Sequence, residues 1–134
     1  MRVICSECKE RVPQHELDVL RGQLGAVIPP VLHRGRGCRR CQGTGFRGRT
    51  GIFEIMPVTP AIQDQIVAHA PSNQIRKTAM AAGMQSLRTD GWRVVREGRT
   101  TPDEVLGATK EDAFRTPEAE MPPGNEPAAA GGGS

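Results

Sequence analysis

Tyrosine is absent from this 134-residue chain, tryptophan occurs once and phenylalanine three times. So few aromatics exclude a large aromatic core. They also leave Phe46 and Phe53 as the only candidates beside the arginine-rich stretch for the stacking platform that single-stranded nucleic acids need. A small aliphatic core needs a staple. Lysine is scarce as well: Lys9, Lys77 and Lys110 are the only ones, and none follows a glycine. The nucleotide loop G-x-x-x-x-G-K-[ST], with lysine on the phosphates and a hydroxyl on Mg2+, is therefore missing. No apolar run approaches the eighteen or more residues of a membrane span, and the N-terminus has no signal-peptide core, so the sequence predicts a cytoplasmic chain.

What is present is a set of four cysteines in two pairs, Cys5-Ser6-Glu7-Cys8 and Cys38-Arg39-Arg40-Cys41. Two Cys-x-x-Cys turns about thirty residues apart are what one tetrahedral zinc requires, each pair biting from one tight turn. Two disulfides, or a redox Cys-x-x-Cys, are the alternatives. Nothing in the chain points to an oxidising compartment, and no thioredoxin-like pattern surrounds either pair. With four thiolates engaged, no coordination position is left for a substrate, so the expected zinc is structural. His15, His33 and His69 are scattered and are not expected as ligands.

Charge is uneven along the chain. There are 18 basic and 15 acidic residues, but residues 110–134 hold Glu111, Asp112, Glu118, Glu120 and Glu126 against Lys110 and Arg115. Rich in Pro, Gly and Ala, that stretch reads as a disordered tail. The remainder, 16 basic against 10 acidic, is about +4 once a zinc tetrathiolate is counted, which is moderate for a nucleic-acid binder. The excess lies in residues 33–51, with six arginines (34, 36, 39, 40, 47 and 49), many glycines and no acid. Solvated arginines on a loop are the bland interpretation; a docking surface for carboxylates or phosphate is the sharper one.

Around this stretch the periodicity predicts short elements. Residues 13–24 place Leu17, Leu20 and Leu24 on one helix side, stopped by Gly25. Residues 26–37 read as a loop, and residues 50–58 (TGIFEIMPV) as a strand. Glu54 within it is expected to pair with Arg47 or Arg49. Four helices should follow: 60–70 with Ile62 and Ile66 together; 72–82, capped by Ser72, with Ile75, Ala79 and Met80 on one face; 86–97 with Leu87, Val94 and Val95 inward and Trp92 on the adjacent flank; and a last one opened by the capping box Thr101-Pro102-Asp103-Glu104. The expected fold is a small α+β one: a tetracysteine zinc module with one or two short strands and an Arg/Gly loop (1–56), a bundle of short helices (57–109) and the tail (110–134).

Cys5-x-x-Cys8, the run from Gly37-Cys38-x-x-Cys41-x-Gly43-Thr44-Gly45-Phe46-Arg47-Gly48-Arg49-Thr50-Gly51 to Glu54, the segment from Ala82-Gly83-Met84 through Leu87-Arg88-Thr89-Asp90-Gly91, and Gly98-Arg99-Thr100-Thr101 to Leu106 occur in one order. Together they resemble the carboxy-terminal part of type II secretion and type IV pilus assembly ATPases, in register over residues 3–109. The resemblance implies a segment that follows a RecA-like, ATP- and Mg2+-binding core in a hexameric motor, cytoplasmic and peripheral at the inner membrane. Its implied partners are that core, neighbouring subunits and inner-membrane secretion or pilus platform proteins. It carries over Cys5, Cys8, Cys38 and Cys41 as zinc ligands and Arg47, Arg49 and Glu54 as docking residues. The core's own phosphate and metal motifs are missing, so no catalytic residue and no ATP site are expected in this chain, and by itself it should be no enzyme.

Two rivals remain in view. Cys38-x-x-Cys41-x-Gly43-x-Gly45 also resembles one repeat of the DnaJ-type co-chaperone zinc region, which would imply client binding. The first pair, however, continues Lys9-Glu10-Arg11 without those glycines. An RNA-binding zinc ribbon would use the arginine-glycine loop and lacks the stacking aromatics.

Overall fold

The computed structural model describes residues 1–109; the tail expected at 110–134 lies outside them. Four short strands pair two by two around the cysteine turns. β1 (Arg2–Ile4) runs antiparallel to β4 (Phe46–Arg49), with Arg2 opposite Arg49 and Ile4 opposite Phe46. β2 (Lys9–Arg11) runs antiparallel to β3 (His33–Gly35). Two-stranded ribbons this short are not stable alone. They are cross-tied here: the Cys5 N–H donates to the Gly45 carbonyl at 2.9 Å and the Arg36 N–H to the Cys8 carbonyl at 3.0 Å. The backbones of Gly35 and Gly45 meet so closely that a Cβ on either would collide with the other's carbonyl.

Residues 50–58 do not form the expected strand. The strand lies earlier, at β4, and residues 50–59 join no sheet. A β-branched apolar run becomes a strand only where a partner edge satisfies its backbone; Met1 pairs with Thr50, and among the described residues none does so for the main chain of residues 51–56.

Helix α1 (Gln14–Leu24) buries Leu17 and ends at Gly25, whose φ of 73° accommodates the stop. Residues 26–37, expected as a loop, include β3. Helix α4 (Leu87–Arg96) starts where the Ser86 hydroxyl accepts from the Thr89 N–H at 3.2 Å. Trp92 lies in the core beside Val95 instead of on a flank, while Leu87 is only half-buried. Helix α5 (Pro102–Ala108) packs close to α4 because Gly91 is small: a Cβ there would sit 2.6 Å from Val105 Cγ1. The expected capping box does not form. Glu104 turns away to accept from the Arg2 N–H at 2.8 Å and from its guanidinium at 2.9 and 2.6 Å.

The main core therefore joins both ends of the described chain. Leu17, Ile28 and Leu32 pack with Trp92, Val95 and Val105. The Thr100 hydroxyl donates to the Arg2 carbonyl at 2.8 Å, and Arg34 ties β3 to α1 by pairing with both Glu10 and Glu16. A boundary between residues 56 and 57 is thus crossed by the core.

Helices α2 (Pro60–Val67) and α3 (Ser72–Ala81) form a hairpin with a separate small core of Ile62, Ala79 and Met84, flanked by Ile75. Pro71, not Ser72, occupies the α3 cap position. Ile66 and Met80, expected on one helix side with Ile62 and with Ala79 respectively, are 48% and 42% exposed. Each helix's apolar stripe is wider than the other can cover.

Candidate metal centre

Both cysteine turns are single 3-10 turns, at Ser6–Cys8 and Arg39–Cys41. Such a turn brings the first and fourth residues of Cys-x-x-Cys to the same side. The second turn leaves through Gln42 (φ 53°) and Gly43 (φ 79°), a left-handed exit that returns the Gly43 N–H to the Cys38 carbonyl at 2.9 Å. Thr44 locks it by donating from its hydroxyl to the Cys41 carbonyl at 2.7 Å.

The result is one cluster. The Sγ atoms of Cys5, Cys8, Cys38 and Cys41 all lie within 4.8 Å of one another, and neighbouring pairs are 3.9 Å (Cys5 to Cys38), 3.8 Å (Cys8 to Cys41) and 3.7 Å (Cys38 to Cys41) apart. A sulfur-sulfur bond is about 2.05 Å long, so these are not disulfides. A tetrahedral ion with metal-sulfur bonds of about 2.3 Å has edges of about 3.8 Å. Those edges match. Cys5, Cys8 and Cys41 are buried and Cys38 is partly exposed.

Electrostatics favour thiolate at one side of the cluster. Burial pushes the Cys41 thiol up, but N–H groups of Cys38 and Gly45, each 3.2 Å from its sulfur, bring it down to about 6. Cys8 has weaker backbone help, and burial pushes it up to about 12. Without a cation the second sulfur keeps its proton; a divalent ion would displace it, as ligand thiols require. A closed four-sulfur set can hold one metal ion and leaves no open position for a substrate. Among the described residues this is the one group with metal-ligand geometry. His33 stands apart, with burial and the charges of Lys9 and Arg11 lowering its pKa.

The other expected site residues do not gather. Arg47 and Arg49 are exposed on β4, with no side-chain partner among the described residues. Glu54 pairs with neither, correcting the expected ion pair. Its carboxylate accepts from the Leu87 N–H at 3.1 Å and meets Arg76 at 3.5 Å. It sits at the first turn of α4, where the helix dipole favours an anion. Asp90 of the same turn accepts from the Phe53 N–H at 3.0 Å. Residues 53 and 54 are thus held against α4, yet Phe53, Ile55 and Val58 stay 66%, 74% and 53% exposed. Among the described residues, no main-chain group of residues 51–56 bonds another main-chain group. Sequence reasoning took this run for a strand; its only signal was a run of apolar residues with no obvious partner.

The family model "Type II/IV secretion system protein" matches residues 1–107. The chain is 38% identical over 112 residues to type II secretion system protein E of Pseudomonas aeruginosa, covering 84% of this chain and 22% of that protein. It is 33% identical to the type IV pilus assembly ATPase PilB of Myxococcus xanthus, covering 84% and 20%, and 37% identical to the type II secretion system ATPase E of Vibrio cholerae, covering 83% and 22%. The chain spans about a fifth of the length of these relatives.

Proposed function

Because the chain belongs to the type II/IV secretion system protein family, we propose that it corresponds to the carboxy-terminal part of a secretion or pilus motor ATPase, acting as a zinc-stabilised docking module. Its partner in this proposal is the ATPase core of such a motor, in a cytoplasmic assembly at the inner membrane. Neighbouring subunits and platform proteins are the further contacts that membership implies.

One observation carries the docking reading. Residues 53–56 are anchored through the Phe53 N–H and the Glu54 carboxylate, but among the described residues none of their main-chain groups bonds another main-chain group, and Phe53, Ile55 and, just beyond them, Val58 stay exposed. Ile66, Val67 and Met80 of the hairpin are also exposed. Apolar residues exposed together in so small a chain mark an interaction surface. An unpaired β-prone run suits addition to a sheet edge, where main-chain hydrogen bonds give affinity. Arg47 and Arg49 precede the run and would supply bidentate contacts to partner carboxylates.

Zinc is the proposed tenant of the tetrathiolate, since four soft, tetrahedral sulfurs suit it better than any hard cation. It would hold the two cysteine turns and β4 in place. The chain alone is proposed to hydrolyse no ATP, because phosphoryl transfer needs a phosphate cradle and a held Mg2+.

The test is binding of the zinc-loaded chain to a separately prepared ATPase core of a family member. Ile55→Asp should weaken it at least tenfold, and Arg47→Ala with Arg49→Ala should weaken it further. Unchanged affinity in Ile55→Asp, or no binding by the native chain, overturns the docking reading. Phosphate release from Mg-ATP by the chain alone would overturn the non-enzyme reading.

A further inference from the structure

Among the described residues six arginines have carboxylate partners: Arg2, Arg21, Arg34, Arg76, Arg93 and Arg99. Arg2 meets Glu104, Arg34 meets Glu10 and Glu16, and Arg93 meets Asp90 and Glu97. The second cysteine turn and its flanks are different. Arg36, Arg39, Arg40, Arg47 and Arg49 are all exposed and make no ion pair or side-chain hydrogen bond among the described residues. A filled tetrathiolate, at about −2, offsets part of this charge from below. The rest has no counter-charge nearby in sequence, because residues 33–51 contain no acid. Unpaired guanidinium groups this frequent along residues 36–49 favour carboxylate ligands.

The chain supplies a carboxylate ligand of matching size. Beyond Thr109, residues 110–126 hold Glu111, Asp112, Glu118, Glu120 and Glu126 against Lys110 and Arg115. The attachment point is close to the arginines. Helix α5, which leads into that stretch, is pinned through Glu104 to Arg2, and Arg2 is the strand partner of Arg49. From Glu104 to Thr109 is about 8 Å of helix. The nine residues from Thr109 to Glu118 can span up to about 30 Å.

We propose that the acidic stretch 111–126 binds back onto Arg39, Arg40, Arg47 and Arg49 as an intramolecular carboxylate ligand. Exposed ion pairs are individually weak, but tethering holds the acids at an effective concentration in the millimolar range, about what several weak pairs need. The contact involves only charge, and it rests on no part of the docking reading. Its consequence does: the stretch competes with partner carboxylates for Arg47 and Arg49.

The test compares arginine Nε–Hε NMR signals of the zinc-loaded full chain with those of a variant carrying E111Q, D112N, E118Q, E120Q and E126Q. At about 50 mM salt the signals of Arg39, Arg40, Arg47 and Arg49 should differ between the two chains. The difference should vanish at about 500 mM, where screening is nearly complete. Arg96, exposed on α4 and without a partner among the described residues, is the control and should not move. Identical signals at low salt, an equal shift at Arg96, or a difference that fades on dilution would each overturn the proposal. Ile55→Asp should leave the difference intact, so loss of core binding and loss of this contact are separate results.

Discussion

The cysteine module and the α2–α3 hairpin face the same shortage of apolar residues and meet it differently. In the first, two 3-10 turns converge four sulfurs, and the strands around them are cross-tied by main-chain bonds and closed over by α1, α4 and α5. In the second, three buried residues and one half-buried residue make the whole core, and Ile66 and Val67, like Phe53, Ile55 and Val58 of the run before it, are exposed. The first region is complete as it stands. The second has the composition of a surface awaiting cover, and this difference is why the proposed docking surface is the hairpin and the run before it, with the proposed metal as support.

Removing the metal should separate the two regions most sharply. Structural zinc in small domains contributes about 10–16 kcal/mol of apparent binding energy, much of it folding free energy. Chelation is expected to unfold residues 1–49, seen as lost amide-exchange protection there, before α2 and α3 lose helical signal. Simultaneous loss, or no loss, would erase the contrast.

Core truncation comes next. Leu17→Ala, at a residue only 2% exposed in the shared core, should cost about 2–5 kcal/mol in global stability by denaturant titration. Ile62→Ala, equally buried, should instead raise exchange in the hairpin alone. If Ile62→Ala loosens the cysteine module as much as Leu17→Ala does, the hairpin is not a separate unit.

These two residues also mark what the sequence could and could not reveal. The convergence of the four cysteines was legible from spacing alone, because Cys-x-x-Cys fixes local geometry. Helix limits were legible where a cap or glycine is local, as at Ser86 and Gly25. The partners of Glu54 and Glu104 were not, because each depends on a residue far away in the chain: Arg76 and Leu87 for one, Arg2 for the other. Nor could periodicity show that Leu17 packs with Trp92, a contact made only once the ends of the described chain meet. The run 50–58 was misjudged for a different reason. Its residues have strand chemistry, but strand formation is a property of a pair.

Acid should act on the complete region through Glu104 and on the seam with the second through Asp90. The Arg2 hydrogen bonds hold the Glu104 carboxyl below its ordinary pKa, and Arg93 followed by the Phe53 N–H does the same for Asp90. Groups depressed in the folded state give stability that is full above the unfolded carboxylate values near about 4 and is lost as pH falls through the folded ones. Melting temperature should therefore hold from neutrality to about pH 5 and fall below it. Glu104→Gln should flatten that fall and cost about 1 kcal/mol at pH 7, since Arg2 is largely exposed. An unchanged acid limb would contradict this role.

The smallest stability effect is expected at the most exposed apolar residue. Ile55→Ser should change stability by no more than about 0.5 kcal/mol while still weakening core binding. A large loss of stability would mean that Ile55 is already covered.

Amide hydrogen exchange across residues 51–56 tests the central claim most directly. In the zinc-loaded chain alone these amides, Phe53 and Glu54 aside, should exchange nearly as fast as in an unfolded peptide, while Cys5 and Gly45 stay protected. Adding the ATPase core should slow them strongly and leave the cysteine turns unchanged. Slow exchange in the isolated chain, or no added protection with the core bound, would contradict the account.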